Sequence, residues 1–303
     1  MHGGLLRYIV GRVLTAALLV FVVSSAAFVL ARLAPGDHLS GLDVDPAYAA
    51  AERQRLGLDR PLSTQYTDWL ARGIRLDLGE SLRFHRPVAA LLRERAGNTA
   101  WLGLSALLLA TALGIPLGVF TASGRGILAS LVRGSSLVLL SIPPLITSLL
   151  LLLVAARTGL AVPRLVLPTL ALALPIAALL ERLQSRSLTD ALGEPSIMAA
   201  VGRGIPRWRV IWRHGLRLSL KPVLAIYGVI VGGVLSGSFV VEIVMGWPGL
   251  GDLMFEALIS RDLYLVAGCA ATGSVFLATG ILLADLAIVA VDPRIEPRIE
   301  EPA

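Results

Sequence analysis

The sequence predicts an all-α membrane protein with six transmembrane helices. Its 303 residues are 55% hydrophobic and 16% charged, whereas soluble domains average about 25% charged residues. The mean hydropathy is +0.77, and the charges crowd into a few segments that separate long uncharged stretches. Six of these stretches can cross a hydrocarbon core of about 30 Å, which takes about 20 helical residues.

The six predicted spans follow one another with loops of unequal length. They cover approximately residues 13–31, 99–121, 136–156, 165–180, 219–241 and 263–291. The length of the first span and its weak cleavage signal favour a retained anchor over a removed signal peptide. The third contains Pro143 and Pro144, and proline can kink a helix because it lacks a backbone donor. We expect the fourth to continue as a helix beyond the membrane.

The charges of the loops predict the orientation of the chain. The long connection 181–221 carries eight basic residues and three acidic ones. The connection from Glu242 to Asp262 carries four acidic residues and only Arg261 as a basic one. Because cytoplasmic loops collect Arg and Lys, both termini are expected in the cytoplasm. The nearly charge-balanced segment 32–98 is then extracytoplasmic.

This extracytoplasmic segment contains two potential helix starts. Pro61 is placed to begin a helix that carries Tyr66 and Trp69, and Pro87 to begin another that carries Leu91. Proline suits the first turn of a helix, where no backbone donor is needed. The sequence therefore predicts a helical cap on the outer face.

Signatures of nucleotide hydrolysis and of other catalysis are absent from the sequence. Its one lysine, Lys221, lies between Leu220 and Pro222, so there is no Gly-Lys-Ser/Thr phosphate loop and any ATP must be used by a partner. The motifs G-x-S-x-G and H-E-x-x-H do not occur. One cysteine excludes an internal disulfide, and the four histidines have no metal-ligand spacing. We therefore predict no catalytic residue, no metal site and no cofactor.

Two alternative functions require polar groups within the spans. A proton-driven secondary transporter usually carries charged residues there, and an intramembrane enzyme needs a polar catalytic set. Only Asp285 lies clearly within an apolar span, near the inner end of the sixth.

The excess of arginine is typical of cytoplasmic loops, so the net charge of +6 does not indicate nucleic-acid binding.

The most informative segment is the inner loop 194–206. Pro195 can start a short helix there, and Gly202 and Gly204 can end it, because glycine accepts the left-handed conformation found at helix C-termini. A short helix with one smooth face suits a groove on another protein, although an ordinary connector has the same spacing. Here Ala199 and Ala200 form the smooth face, because their side chains are small.

Basic and aromatic residues follow this loop at helical spacing. Arg209, Arg213 and Arg217 recur every four residues, and Trp208 and Trp212 occupy a neighbouring face. Arginine and tryptophan concentrate on helices that lie on a membrane surface. We expect an interfacial helix that leads into the fifth span.

An ordered set of motifs runs through nearly the whole chain. It comprises Arg7-Tyr-Ile, Arg32-Leu-Ala-Pro-Gly-Asp37, Leu56-Gly-Leu-Asp-Arg-Pro-Leu62, Asp77-Leu-Gly-Glu-Ser81, Gly114-Ile-Pro-Leu-Gly118, Ser141-Ile-Pro143, Arg213-His214, Trp247-Pro-Gly-Leu-Gly251, Arg261-Asp262 and Asp292-Pro-Arg294. Together with Ala200, Gly204 and Pro222 of the inner loop, these motifs resemble the permease subunits of bacterial ABC importers of the dipeptide/oligopeptide/nickel family.

The resemblance implies a type I importer permease for di- or oligopeptides or a related small solute, in the bacterial inner membrane. Its implied partners are a second homologous permease, two ATP-binding cassette subunits, an extracytoplasmic solute-binding protein and the lipid bilayer. ATP and Mg²⁺ would be used by the partner subunits. The implied domains are an N-terminal segment with the first span (1–31), an extracytoplasmic cap (32–98), a transmembrane core (99–294) with a coupling loop (190–221), and a cytoplasmic tail (295–303).

Two contact surfaces are expected from this architecture. One is a coupling helix that docks on the ATPase through Ser196, Ala199, Ala200, Arg203, Gly204, Ile205 and Arg207. The other is an outer surface for the binding protein, with Glu242, Trp247 and Asp252. The family pattern usually has Asp-Tyr where this chain has Pro195-Ser196, and Arg where it has Val201. We therefore expect different polar contacts with the ATPase.

Overall fold

The computed structural model describes residues 2–34, 36, 45–55, 57, 59–75, 77–124, 126–159 and 161–291. Its helices are α1 (His2–Leu33), α2 (Pro46–Arg55), α3 (Leu62–Ile74), α4 (Val88–Ser123), α5 (Ile127–Ser141), α6 (Pro144–Thr158), α7 (Val166–Leu192), α8 (Pro195–Gly202), α9 (Arg207–Arg209), a π-helical segment (Val210–Gly215), α10 (Leu216–Ala225), α11 (Tyr227–Met245), α12 (Leu250–Ile259) and α13 (Leu263–Val291). Within these ranges no strand occurs beyond an isolated bridge between Glu80 and Pro87. The predicted all-α class is confirmed.

Some predicted features lie outside the described residues. These are Pro35 and Asp37 of the first long motif, Leu56 and Leu58 of the second, the motif 292–294 and the tail 295–303.

Among the described residues, five helices are long and apolar enough to cross a membrane, namely α1, α4, α7, α11 and α13. The third predicted span differs, because it consists of α5 and α6, which meet at an angle of 110°. Ile142 and Pro143 have extended backbone angles at this break. Proline disfavours the helical conformation of the residue before it, and Pro143 and Pro144 cannot donate backbone hydrogen bonds. The third predicted span is therefore a pair of helices that is sharply bent at the two prolines, and it makes up the sixth span if the pair is counted as one.

Two predicted helix boundaries also differ from the structure. A helix starts after Pro87 as predicted, but this helix is α4, which continues without interruption into the second span, so it is not a separate cap element. The fifth span begins at Tyr227, because the helix is interrupted at Ile226 between α10 and α11. α7 continues to Leu192 as predicted.

The described residues divide into two compact units. The first contains the chain up to Thr99 together with Pro248–Ala278. Its larger core joins the first turns of α4 to α12 and α13, and a smaller one packs Phe28 of α1 against α3 and the start of α13. The buried members of the larger core include Val88, Leu92, Leu253, Leu265 and Cys269.

Asp262 is the polar centre of this first unit. Its carboxylate is fully buried and accepts hydrogen bonds from Ser81 Oγ at 2.5 Å and from the backbone N–H of Arg83 at 3.2 Å. It also accepts from the N–H of Leu265 at 3.2 Å, which caps the N-terminus of α13. The motifs that contain Ser81 and Asp262 are far apart in the sequence but adjacent in space, and one buried hydrogen-bond network joins them.

The second unit contains Ala100–Trp247 and the described residues from Thr279 onwards. α7 lies at its centre and packs against α5, α6, α10 and α11. Gly114 and Gly118 bring α4 against α7: a Cβ at Gly114 would lie 2.6 Å from Leu180 Cβ, and one at Gly118 2.6 Å from Gln184 Cβ. Small residues at this four-residue spacing allow close helix approach in lipid.

Candidate coupling surface

The inner loop forms the short helix that the sequence predicts. α8 starts with Pro195 after an extended Glu194, whose carbonyl accepts hydrogen bonds from the N–H groups of Ile197 and Met198. At its end, the N–H of Gly204 donates to Val201 O at 2.9 Å and the N–H of Ile205 to Ala200 O at 3.3 Å. Gly204 has φ +79°, so this is a Schellman termination with glycine in the left-handed position.

The two faces of α8 have opposite environments. Ile197 and Ala200 are buried, with exposed fractions of 3% and 8%, whereas Met198 and Val201 are 65% and 56% exposed. In the predicted contact set, five residues are exposed and Ile205 is half-buried; the exposed ones are Ser196, Ala199, Arg203, Gly204 and Arg207. The prediction that Ala200 belongs to the contact face is therefore corrected. Ala200 packs inside the chain and is not part of the exposed face.

Sequence reasoning missed Met198 and Val201 as members of this face. They are three residues apart and share a helix face, which lies beside the buried pair because Val201 also follows Ile197 by four residues. Large apolar side chains in a loop between membrane spans were a visible signal, but their exposure depends on which face of α8 packs inward.

α8 is held against the helices of its own unit. It packs on α7 and on the π-helical segment that follows the loop. Ile211 of that segment forms a small core with Leu188 of α7 and Val119 of α4. Gly215 allows the closest approach, because a Cβ there would lie 2.9 Å from Leu188 Cδ1. α8 therefore contacts α7 directly and is connected to α4 through Ile211 of the π-helical segment.

The segment after α8 exposes its aromatic and basic side chains. Trp208 and Trp212 are 63% and 52% exposed, and the Arg209 guanidinium lies 5.3 Å from the Trp208 ring. The neighbouring Val210 and Ile211 are buried. The π-helical turn was not predicted, and such turns often occur at functional sites because they shift the phase of the following helix. The interfacial location of this segment stays a prediction.

A buried polar cluster connects three helices next to this surface. Thr121 of α4 donates a hydrogen bond to the carboxylate of Glu181 on α7, and Gln184 Nε2 donates to Ser219 Oγ of α10 at 2.7 Å. All four side chains are almost fully buried. Buried hydrogen bonds of this kind fix the relative positions of helices, because breaking one leaves a polar group without a partner. Sequence reasoning did not identify this cluster.

The three residues predicted for binding-protein docking have different environments. Glu242 is fully buried within α11, so it is not part of an exposed docking surface, which corrects the prediction. Trp247 is half-buried, and its backbone N–H donates to the backbone carbonyl of Glu242 at 2.9 Å. In the first unit, Asp252 is partly exposed and pairs with Arg95 at 3.4 Å. Partial burial raises the pKa of Asp252, the nearby Glu256 raises it further, and Arg95 opposes both.

Comparison with known proteins identifies the family to which this arrangement of membrane helices belongs. Residues 114–297 match the family described as "Binding-protein-dependent transport system inner membrane component", and residues 5–90 match the N-terminal region of the same transport components. The chain therefore belongs to this family of permeases, and it is a multi-pass subunit of the inner membrane.

Similar proteins align over nearly their whole length. The oligopeptide transport system permease protein AppB of Bacillus subtilis is 31% identical over 95% of this chain and 99% of its own. A putative peptide permease protein of Brucella ovis is 31% identical over 96% of this chain and 99% of its own. The glutathione transport system permease protein GsiC of Escherichia coli K12 is 29% identical over the same shares. This chain is thus a permease subunit of a binding-protein-dependent importer.

Proposed function

We propose that this chain forms one half of the translocation pathway for di- or oligopeptides or a related small solute. A second homologous permease completes the pathway, two ATP-binding cassette subunits use ATP and Mg²⁺, and an extracytoplasmic solute-binding protein delivers the solute. The names of the similar permeases, which refer to oligopeptides, peptides and glutathione, support this class of solute. The chain itself is non-catalytic, since it has no phosphate-binding loop.

The observation that carries the mechanism is the two-sided environment of α8. One face is anchored on the chain through Ile197 and Ala200, while Met198 and Val201 point away from it. Exposed apolar side chains on a helix with few polar groups favour insertion into a groove of a partner. The ATPase is the partner of this class of permease on the cytoplasmic side, so α8 is the coupling helix and both termini are cytoplasmic.

The packing around α8 supports transmission of a rigid-body movement. Closure of the ATPase pair would displace α8, and the Val119–Leu188–Ile211 core would move α4 and α7 with it. The buried pairs Thr121–Glu181 and Gln184–Ser219 resist sliding of these helices past each other. A small shift at the loop is then converted into a movement of whole helices, as in other packed switches.

The test uses the assembled importer in proteoliposomes with its binding protein and a panel of dipeptides, tripeptides and glutathione. Met198→Arg places a charge on the exposed face of α8. We expect at least a tenfold loss of solute-stimulated ATP hydrolysis and of uptake, with unchanged assembly of the permease pair. Thr189→Arg, at an exposed position near the end of α7 in the same charged connection, is the matched control and should retain both activities.

Two outcomes would contradict the proposal. Full solute-stimulated turnover in the Met198→Arg importer would show that this face of α8 does not dock on the ATPase. Uptake of none of the peptides at any concentration of binding protein, with uptake of another solute class, would remove the peptide assignment while leaving the coupling mechanism intact.

A further inference from the structure

The first unit contains a cleft whose lining residues are not among those assigned to coupling. It is lined by residues of α2, of α3, of the connection between them and of the start of α13, and its volume is about 110 Å³. The lining side chains that carry charge are Arg55, Arg60, Arg72 and Asp68. Arg60 lies 3.4 Å from Asp68, the one acidic residue of the lining. The lining therefore has an excess of two positive charges.

The position of the cleft along α1 sets its depth relative to the membrane. Trp69 and Tyr66 of α3 pack on Phe28 of α1, with ring centroids at 4.9 and 6.0 Å, and Tyr66 Oη is 2.9 Å from Ser25 Oγ. Phe28 precedes the end of the apolar span, Leu33, by five residues, which corresponds to about 7.5 Å at the helical rise of 1.5 Å per residue. α3 therefore lies at the boundary between hydrocarbon and headgroups.

The residues around the cleft match that boundary chemically. Trp69 and Tyr264, which line it, are of the types enriched at membrane interfaces. Ile74 of α3 is 79% exposed, and Leu30 and Leu33 of α1 are 67% and 66% exposed. These apolar side chains would contact acyl chains while the arginines reach the headgroup layer.

We propose that this cleft binds the phosphate of an anionic phospholipid headgroup. Arg60 and Arg72 provide planar guanidinium groups that bind phosphate oxygens with two parallel hydrogen bonds. A basic pocket beside membrane helices is a known arrangement for lipid headgroups. A bound lipid would hold α3 on the outer end of α1, because its phosphate contacts α3 and its chains contact α1. The site thus anchors the helical cap to the bilayer.

The experiment measures binding to the assembled importer in neutral maltoside micelles by equilibrium dialysis. The probes are radiolabelled dihexanoyl phosphatidylglycerol below its micelle concentration, dihexanoyl phosphatidylcholine and inorganic phosphate, with empty micelles as background. We expect saturable binding of phosphatidylglycerol, weaker binding of phosphatidylcholine and little binding of inorganic phosphate. The double variant Arg60→Gln/Arg72→Gln should bind phosphatidylglycerol at least tenfold more weakly, and added salt should weaken binding to the unmodified protein.

Two further variants keep the proposal falsifiable. Arg75→Gln is the matched control, since Arg75 is an exposed arginine next to α3 that does not line the cleft, and it should bind within twofold of the unmodified protein. Arg72→Lys keeps the charge and loses the planar guanidinium group, so it should lose less affinity for phosphatidylglycerol than the double variant does. It tests the cleft even if the double variant folds poorly. Unchanged lipid binding in both cleft variants would overturn the proposal.

Two other results would replace the lipid with a different ligand. Equal affinity for inorganic phosphate and phosphatidylglycerol would make the cleft a site for a free anion. Cleft variants that bind lipid normally but lose affinity for the solute-binding protein would make it a protein contact. Either result would refute the assignment to a lipid headgroup.

Discussion

The closest approach between α4 and α7 makes the most demanding prediction. Gly114→Ala adds a Cβ that would lie 2.6 Å from Leu180 Cβ and 2.7 Å from Ala177 O. An ordinary contact begins at 3.4 Å, so the two helices must separate locally by about 3.4 − 2.6 = 0.8 Å. The Ala177 carbonyl belongs to the backbone of α7 and cannot move away by a change of rotamer.

The cost follows from overpacking. Inserting a methyl group into a packed interior costs about 1–3 kcal/mol, and the backbone contact places Gly114→Ala near the upper end, at about 3 kcal/mol. Separation of α4 and α7 would also strain the hydrogen bond from Thr121 to Glu181 and the core that contains Val119 and Leu188. We therefore expect the variant to lose coupled transport together with stability.

The assay is unfolding of the purified permease pair in mixed micelles of increasing dodecyl sulfate content. Gly97→Ala is the matched control, since Gly97 lies on the same helix and a Cβ there meets nothing within 4 Å. Alanine is the better helix former by about 1 kcal/mol, so the control should be as stable as the unmodified protein or more stable. A Gly114→Ala protein as stable as Gly97→Ala would refute the close approach of α4 and α7.

Three further predictions concern other parts of the chain. Ser81→Ala leaves Asp262 with one hydrogen bond fewer in a buried site and should lower the free energy of unfolding by about 1–3 kcal/mol; equal stability would argue against the network. Gly204→Ala introduces a side chain at φ +79° and should lower solute-stimulated ATP hydrolysis, whereas unchanged activity would mean that α8 tolerates another termination. In intact cells an impermeant thiol reagent should label Ser63→Cys and not Ser196→Cys; the reverse labelling would invert the topology.

The break in the third span illustrates a limit of reading the sequence. Pro143 and Pro144 were visible, but so were Pro116 and Pro175, which lie inside continuous helices. A single proline can be accommodated in a long helix, whereas two adjacent prolines disfavour the helical conformation at two consecutive residues, Ile142 and Pro143, and both are extended. Whether the two halves then realign or bend by 110° depends on the helices packed around them.

The boundaries of α8 were predictable from its own residues, since proline at a helix start and glycine after its end act through local backbone geometry. The same applies to the apolar spans, because the cost of placing charge in hydrocarbon is paid residue by residue. The exposed face of α8, the burial of Ala200 and Glu242, and the contacts of Gly114 were decided by the tertiary structure. Small or charged residues are compatible with either an inward or an outward position, and only the packing of distant helices selects between them.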